Sequence, residues 1–359
     1  MKENMDILGR DEAVALSLRE LYHAWGYEPY KMSKFEPYDF YAKNRSFVTG
    51  DNILTFTDTN GRLMALKPDV TLSIVKNYRG GQRKVYYNES VYRDTGASHE
   101  FQEILQTGLE CIGSVDLYTQ AEVLALAAES LRRISEEYIL DVASVAVTSA
   151  LAAATGAGEE EIKRLLGFVR EKNAHGVRDL CIARGLLEEA ARMWQALASL
   201  YGPARTLLPE LEALCFDEAT LAACRRLGEL CRVLEENGTA ANLDFSIVGA
   251  LRYYNGVVFK GYVPGVPAAI LSGGRYDELV RRLGKDAGAI GFAVYLDLLR
   301  LLPAEKTDLY DADVLLSYGG NAPAGAVLDR ARELRARGLS VRVRPAGDDE
   351  GRFGQVVRL

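Results

Sequence analysis

The polar residues that could bind a small molecule are concentrated in a few short segments. Asp69 and Thr71 stand in KPDVT, and Gln106 and Glu110 stand in EILQTGLECIG. Because Gln106 and Glu110 are four residues apart in a predicted strand, both side chains can point from one face into one pocket. The other candidates are two tyrosines and two adjacent glycines: Tyr254, Tyr276, Gly273 and Gly274. Carboxylate, amide and hydroxyl groups in this combination suit a small ligand with nitrogen donors.

Each of these residues also has a structural explanation when it is taken alone. Buried polar residues in sheets are commonly just hydrogen-bonded structure, and tyrosines commonly belong to a core. Gly273 and Gly274 would let the backbone approach a ligand closely. The pocket interpretation depends on all of these residues occurring together.

The first half of the chain predicts helices mixed with antiparallel strands. A helix begins near Asp11, which can cap its N-terminus. Asn60-Gly61 is a strong turn signal between two short strands, and Pro68 stands at the start of another helix. Strands are further predicted at residues 85–93, 104–112 and 142–148, and a helix at residues 119–134.

The second half divides into three stretches. Residues 158–237 are rich in Ala, Leu, Glu and Arg with helical periodicity, which predicts an all-helical insertion. Strands resume at residues 243–246, 257–259 and 269–271, and residues 291–294 lead into a helix that ends near Leu301. After a linker at residues 303–308, a strand–helix–strand pattern predicts a βαβ unit.

These elements predict an α+β fold with two domains. Residues 1–302 form an antiparallel sheet core flanked by helices, and the helical insertion occupies about residues 152–240. Residues 303–359 form a small C-terminal α/β unit.

Composition limits the functional classes. The formal net charge is −7, which argues against a polyanion such as tRNA as the main partner. The five cysteines show no CxxC pair and no histidine at ligand spacing, so we expect reduced thiols and no metal site. The sequence has no apolar run of membrane-spanning length and no signal-peptide core, so we expect a cytoplasmic protein.

Four segments, in this order, resemble the core of histidyl-tRNA synthetase, a class II aminoacyl-tRNA synthetase. They are residues 55–71, 103–113, 250–262 and 271–280. The resemblance covers about the first 300 residues, and the C-terminal unit resembles only part of an anticodon-binding domain. It implies the class II synthetase fold and a site for L-histidine, without any cofactor. In that site Asp69, Thr71 and Gln106 would hold the ammonium group, and Glu110, Tyr254 and Tyr276 would hold the imidazole.

The positions that the synthetase family uses for ATP are mostly altered. Arg93 matches one of its arginines, whereas Gln102, Gly249 and Leu298 stand where others are found, and Tyr295 replaces a glycine that leaves room for the nucleotide. Each lost charged donor typically costs about 3 kcal/mol of transition-state stabilisation. The resemblance therefore implies that aminoacylation is lost and that the chain has no catalytic residues of its own.

A chain that keeps the residues for histidine but lacks most of the arginines for ATP resembles the regulatory subunits of ATP phosphoribosyltransferase in histidine biosynthesis. That resemblance implies a partner, the short catalytic subunit, and a homodimer within a hetero-oligomer in which histidine mediates feedback. Two alternatives stay open: an active histidyl-tRNA synthetase with a divergent ATP site, and an amino-acid-binding assembly module with another partner.

Overall fold

A computed structural model of the chain describes residues 8–47, 52–94, 100–249, 254–303 and 310–359. The chain divides into two compact units, Met1–Leu302 and Pro303–Leu359. Both combine helices with strands, and the predicted α+β class with a class II synthetase-like core is confirmed.

The strands are β1 Glu28–Pro29, β2 Phe35–Pro37, β3 Thr55–Thr57, β4 Leu63–Leu66, β5 Arg83–Asp94, β6 Phe101–Gly113, β7 Ile139–Ser144, β8 Tyr201–Pro203, β9 Asn242–Asp244, β10 Val257–Tyr262, β11 Leu271–Arg275, β12 Gly288–Tyr295, β13 Ala312–Tyr318, β14 Val341–Pro345 and β15 Phe353–Arg358. The α-helices are α1 Arg10–Ala24, α2 Tyr38–Lys43, α3 Val70–Asn77, α4 Leu117–Arg132, α5 Val145–Thr155, α6 Glu159–Arg170, α7 Ala174–Arg184, α8 Glu188–Ser199, α9 Ala204–Ala213, α10 Glu218–Glu236, α11 Asp277–Arg282 and α12 Ala324–Ala336. Short 3-10 helices cover Arg45–Phe47, Phe245–Ile247 and Leu296–Leu301.

The first unit is built on a nine-stranded sheet with the order β1-β5-β6-β12-β11-β10-β7-β9-β8. The six central strands pair antiparallel, whereas β1–β5 and β7–β9 are parallel pairs. A separate antiparallel sheet, β2-β4-β3, contains the predicted turn at Asn60-Gly61. The long central strands therefore place distant parts of the sequence side by side.

Two layers of side chains cover the large sheet. On one face, Leu18 and Tyr22 of α1 are fully buried, and the Tyr22 ring lies edge-on to Phe292 of β12 at 5.9 Å between centroids. On the other face, α3 buries Leu72 and Val75 against strands β5 and β6. Burying each large apolar side chain contributes roughly 1.5–3 kcal/mol. Gln106 and Glu110 lie on the face that α3 covers, because they alternate with Leu109 and Cys111 of the opposite layer.

Several predicted boundaries were wrong. The predicted strand at residues 142–148 ends at Ser144, and α5 begins at Val145, where an alanine-rich stretch favours a helix. Helix α1 begins at Arg10 and has Gly9, not Asp11, at its N-cap. The insertion is not all helical, since β8 leaves the bundle and pairs with β9 at the edge of the large sheet.

The C-terminal unit contains three parallel strands in the order β14-β13-β15, with α12 between the first two in sequence. Leu316, Val327 and Ala331 form its small core. The predicted βαβ pattern is thus present, with one further strand.

None of the described helices combines the length and the apolar character that crossing a bilayer requires.

Candidate functional site

A cavity of about 220 Å³ lies on the face of the large sheet that carries α3. Its volume is below the roughly 300–1,000 Å³ of pockets for drug-sized ligands, so it suits a molecule the size of an amino acid. All six polar residues that the sequence analysis selected line it: Asp69, Thr71, Gln106, Glu110, Tyr254 and Tyr276. Four separate regions of the chain therefore contribute to one site.

Glu110 lies in the middle of a hydrogen-bond network. Thr71 donates its hydroxyl to Oε1 of Glu110 at 2.6 Å, and the Tyr276 hydroxyl donates to Oε2. Burial raises the pKa of Glu110 to about 8, although the two hydroxyl donors oppose this shift. The carboxyl group can therefore gain or lose a proton near neutral pH, which suits an imidazole ligand.

Asp69 shapes the cavity through the start of α3. Its carboxylate caps the helix by accepting the backbone N–H of Leu72 at 2.9 Å. The guanidinium of Arg93 lies 3.6 Å from Asp69 and donates from Nε to the Pro68 carbonyl at 2.7 Å. Burial raises the pKa of Asp69, whereas the Arg93 charge opposes that shift. Asp69 is thus a buried carboxylate that is held in place from two sides.

Gln106 presents an unsatisfied polar group to the cavity. The residue is 2% exposed, and its Nε2 has no hydrogen-bond partner among the described residues. An unpaired buried amide nitrogen costs roughly 1–3 kcal/mol, so such groups usually have a partner. A ligand that offers an acceptor would remove this cost.

The two predicted glycines are packed closely against aromatic side chains. Gly273 and Gly274 do not line the cavity. A Cβ atom on Gly273 would lie 2.4 Å from the Phe259 ring, and one on Gly274 would lie 2.8 Å from the Tyr254 ring. Both glycines therefore make room for aromatic side chains of the protein itself.

Several lining residues were missed by the sequence analysis. A Cβ atom on Gly291 would lie 1.7 Å from Oε2 of Glu110, so this glycine provides the space for the carboxylate. Lys260 of β10 and Ser272 of β11 add a cation and a hydroxyl. The sequence did contain signals for two of these residues. Lys260 directly follows the apolar run Val257-Val258-Phe259, and Gly291 stands inside the predicted strand GFAV.

The altered ATP positions lie around this cavity in different ways. Arg93 lines it, and so does Tyr295. Gln102, Gly249 and Leu298 do not line it: Gln102 is exposed on β6, and Leu298 packs against the core of the opposite sheet face. Gly249 has a φ of +86°, a conformation in which an arginine would be strained. Thr95 and Arg252, which also belong to the altered segments, lie outside the described residues.

The polar groups of the cavity differ from a typical set of metal ligands. No group of three or more His, Cys, Asp or Glu side chains in the described part of the chain could hold a metal ion. The cavity offers two carboxylates, an amide, hydroxyl groups and two cations, which together match a zwitterion.

Comparison with known proteins gives consistent relatives. The regulatory subunit of ATP phosphoribosyltransferase from Acetivibrio thermocellus is 26% identical over 92% of this chain and 82% of its own length. A solved structure described as an ATP phosphoribosyltransferase regulatory subunit/histidyl-tRNA synthetase from Bacillus halodurans has a TM-score of 0.81 at 25% identity, with 97% of this chain and 93% of that chain covered.

A more distant neighbour shares the fold alone. It is a chain of the ATP phosphoribosyl transferase complex from Thermotoga maritima, 19% identical with a TM-score of 0.62, and the match covers 80% of this chain and 97% of that chain. The family model of histidyl-tRNA synthetase matches residues 8–299, which include the whole cavity. On this evidence the chain belongs to the histidyl-tRNA synthetase family.

Proposed function

We propose that this chain is a non-catalytic regulatory subunit of ATP phosphoribosyltransferase, which activates the catalytic subunit and lets histidine inhibit it. One observation carries the proposal: a cavity of amino-acid size combines buried Asp69, Gln106 and Glu110, while Gly249 and Leu298 stand where the synthetase family has arginines for ATP. The names of the relatives support the same function.

Each part of histidine has a matching group in the cavity. Asp69 and the carbonyl oxygen of Gln106 can accept hydrogen bonds from the ammonium group. Glu110, with its pKa near 8, can pair with an imidazole nitrogen in either protonation state. Tyr254 and Tyr276 line the same cavity and would enclose the ring. A histidine bound in this way would be largely removed from water.

Ligase chemistry has little support from the same residues. Adenylation places negative charge on the α-phosphate, which arginines normally stabilise. Arg93 is held by the Pro68 carbonyl and Asp69, and Gln102, Gly249 and Leu298 carry no charge. With about 3 kcal/mol lost for each missing donor, adenylation should be reduced to near background.

The proposed partners follow from regulation. Feedback requires that histidine binds one state of the complex more tightly than another, typically by about 1–3 kcal/mol. We propose a homodimer within a hetero-oligomer with the catalytic subunit, without tRNA. We further propose that it works in the cytoplasm, the compartment that suits its five unpaired thiols.

The test is reconstitution with a short catalytic subunit of ATP phosphoribosyltransferase. We expect the chain to increase the transferase rate and histidine to reduce it again. Histidine-dependent ATP–pyrophosphate exchange by the chain alone at synthetase-like rates would instead support the active ligase. Co-purification from the native cytosol with an unrelated protein, without any effect on the transferase, would support an assembly module.

Variants of the cavity sharpen this test. Glu110→Ala and Tyr276→Phe should raise the histidine concentration for half-inhibition at least tenfold, since a good hydrogen bond to a charged group contributes about 1.5–3 kcal/mol. Size-exclusion chromatography of the complex checks that each variant still assembles. Lys163→Met, at an exposed position of α6, is the matched control. Unchanged inhibition in both cavity variants would show that histidine binds elsewhere.

A further inference from the structure

The floor of the cavity is a row of small residues that ends in a lysine. Gly108, Ala293, Ser272 and Lys260 are direct neighbours across β6, β12, β11 and β10. Directly opposed residues on adjacent antiparallel strands point to the same face. With about 4.8 Å between strands, the row spans about 14 Å. The small side chains leave open space between the Glu110 region and Lys260.

Lys260 lies directly opposite Asp141 of the adjacent strand β7 but makes no direct bond to it. Its side chain lines the cavity and is half-buried, and it forms no hydrogen bond or close ion pair within the described part of the chain. Burial lowers the pKa of Lys260, although the negative charges of Asp244 and Asp141 oppose this shift. A half-buried ammonium group whose carboxylate neighbours do not contact it directly can still gain from an anionic group on a ligand.

Arg93, the other cation that lines the cavity, already has partners within the protein. Arg93 donates to the Pro68 carbonyl at 2.7 Å and lies 3.6 Å from Asp69. Among the described lining residues, Lys260 is therefore the cation that remains available for an anionic group. The unpaired Nε2 of Gln106 is a second donor in the same cavity. Both observations indicate a ligand with acceptor oxygens.

We infer that Lys260 binds the carboxylate of the amino acid in this cavity and so makes the site select an amino acid over an imidazole amine without a carboxylate. This inference rests on the proposed function, in which histidine occupies the cavity. The opposite ends of the ligand would then meet Glu110 and Lys260, and the small floor residues would lie beneath its backbone atoms.

The test is calorimetric titration of the full chain with histidine and with histamine, which lacks only the carboxylate. The wild type should bind histidine at least tenfold more tightly than histamine. Lys260→Met should lose at least tenfold in histidine affinity and change histamine affinity by less than threefold. Lys260→Arg, which keeps the charge, should retain most of the preference, and Lys163→Met should behave as the wild type.

The outcomes separate the two proposals. If the wild type binds no histidine, the proposed function fails and this inference fails with it. If the wild type binds histidine but Lys260→Met binds it equally well, only the role of Lys260 is overturned. The comparison of the two ligands on the wild type does not depend on whether any variant folds, and equal affinities there would also overturn the inference.

Discussion

At the scale of single residues, the protonation of Glu110 sets the chemistry of the cavity. Its side chain is buried, and burial raises its pKa to about 8 despite hydrogen bonds from Thr71 and Tyr276. With this pKa the carboxyl group is mainly protonated at pH 7. A ligand that brings a positive charge or an N–H donor would favour the ionised form, so binding and proton release should be linked.

The free energy of unfolding should depend on pH because of the buried carboxyl group of Glu110. Its folded-state pKa lies above the usual 4.5, so the folded state holds more protons, and stability falls as the pH rises from about 4.5 to about 8. Each pKa unit corresponds to about 1.4 kcal/mol. Glu110→Gln removes the titration, so this variant should gain stability relative to the wild type over that range.

Urea unfolding near pH 5 and near pH 8.5 measures the effect. Relative to the wild type, the free energy of unfolding of Glu110→Gln should be higher near pH 8.5 than near pH 5. Glu171→Gln, at an exposed glutamate, is the control and should show no such trend. A difference that is the same at both pH values would mean that Glu110 is ionised in the folded chain throughout.

The site was predictable to the extent that it follows local patterns. The spacing of Gln106 and Glu110 along one strand correctly placed both in the cavity. Lys260 and Gly291 were missed because their importance arises from the pairing order β6-β12-β11-β10, which joins segments far apart in sequence. The close packing of Gly273 and Gly274 was missed for a related reason, since only the fold brings the aromatic rings beside them.

At the scale of elements, one lysine connects the helical insertion to the edge of the large sheet. Lys172, between α6 and α7, lies 2.8 Å from Asp244 of β9 and 4.3 Å from the centre of the Tyr201 ring of β8. Beside this pair, burial and the charge of Asp244 raise the pKa of Asp141 to about 6. Lys172 thus offsets a concentration of negative charge where the insertion meets the sheet.

Removal of this cation should loosen the insertion in a pH-dependent way. Lys172→Met should cost about 1 kcal/mol at pH 8, a modest value because the lysine side chain is 45% exposed and therefore screened. Near pH 5 the cost should be smaller, since Asp141 is then largely protonated. Urea unfolding at both pH values, with Lys163→Met as control, measures it. An equal cost at both pH values would show that the charge of Asp141 does not contribute to it.

The elements themselves were largely predictable, and the errors have local causes. Helices α4 and α10 begin after the capping residues Asp116 and Asp217. The boundary at Ser144 was missed because the sequence VASVAVT fits either a strand or a helix. Strand β8 was missed because its three residues gain their strand conformation only by pairing with β9.

At the scale of the whole molecule, an acidic net charge contrasts with the cations that line the cavity. The chain carries 43 basic and 50 acidic residues, and an acidic total disfavours contact with a polyanion. Two of its cations, Arg93 and Lys260, line the cavity, where they can act on a small ligand. Binding energy from such a site is available to stabilise the unit that contains it.

Histidine should therefore raise the melting temperature of the chain. A ligand that binds only the folded state stabilises it by about 2.7 kcal/mol at a hundredfold excess over Kd, and for a large domain each kcal/mol shifts Tm by about 2–4 °C. Histamine should give a smaller shift, because it offers nothing to Lys260, and ATP should give none. Differential scanning fluorimetry at increasing ligand concentration measures all three. A shift with ATP that equals or exceeds the shift with histidine would mean that the cavity still accepts a nucleotide, and the regulatory assignment would then give way to that of a working ligase.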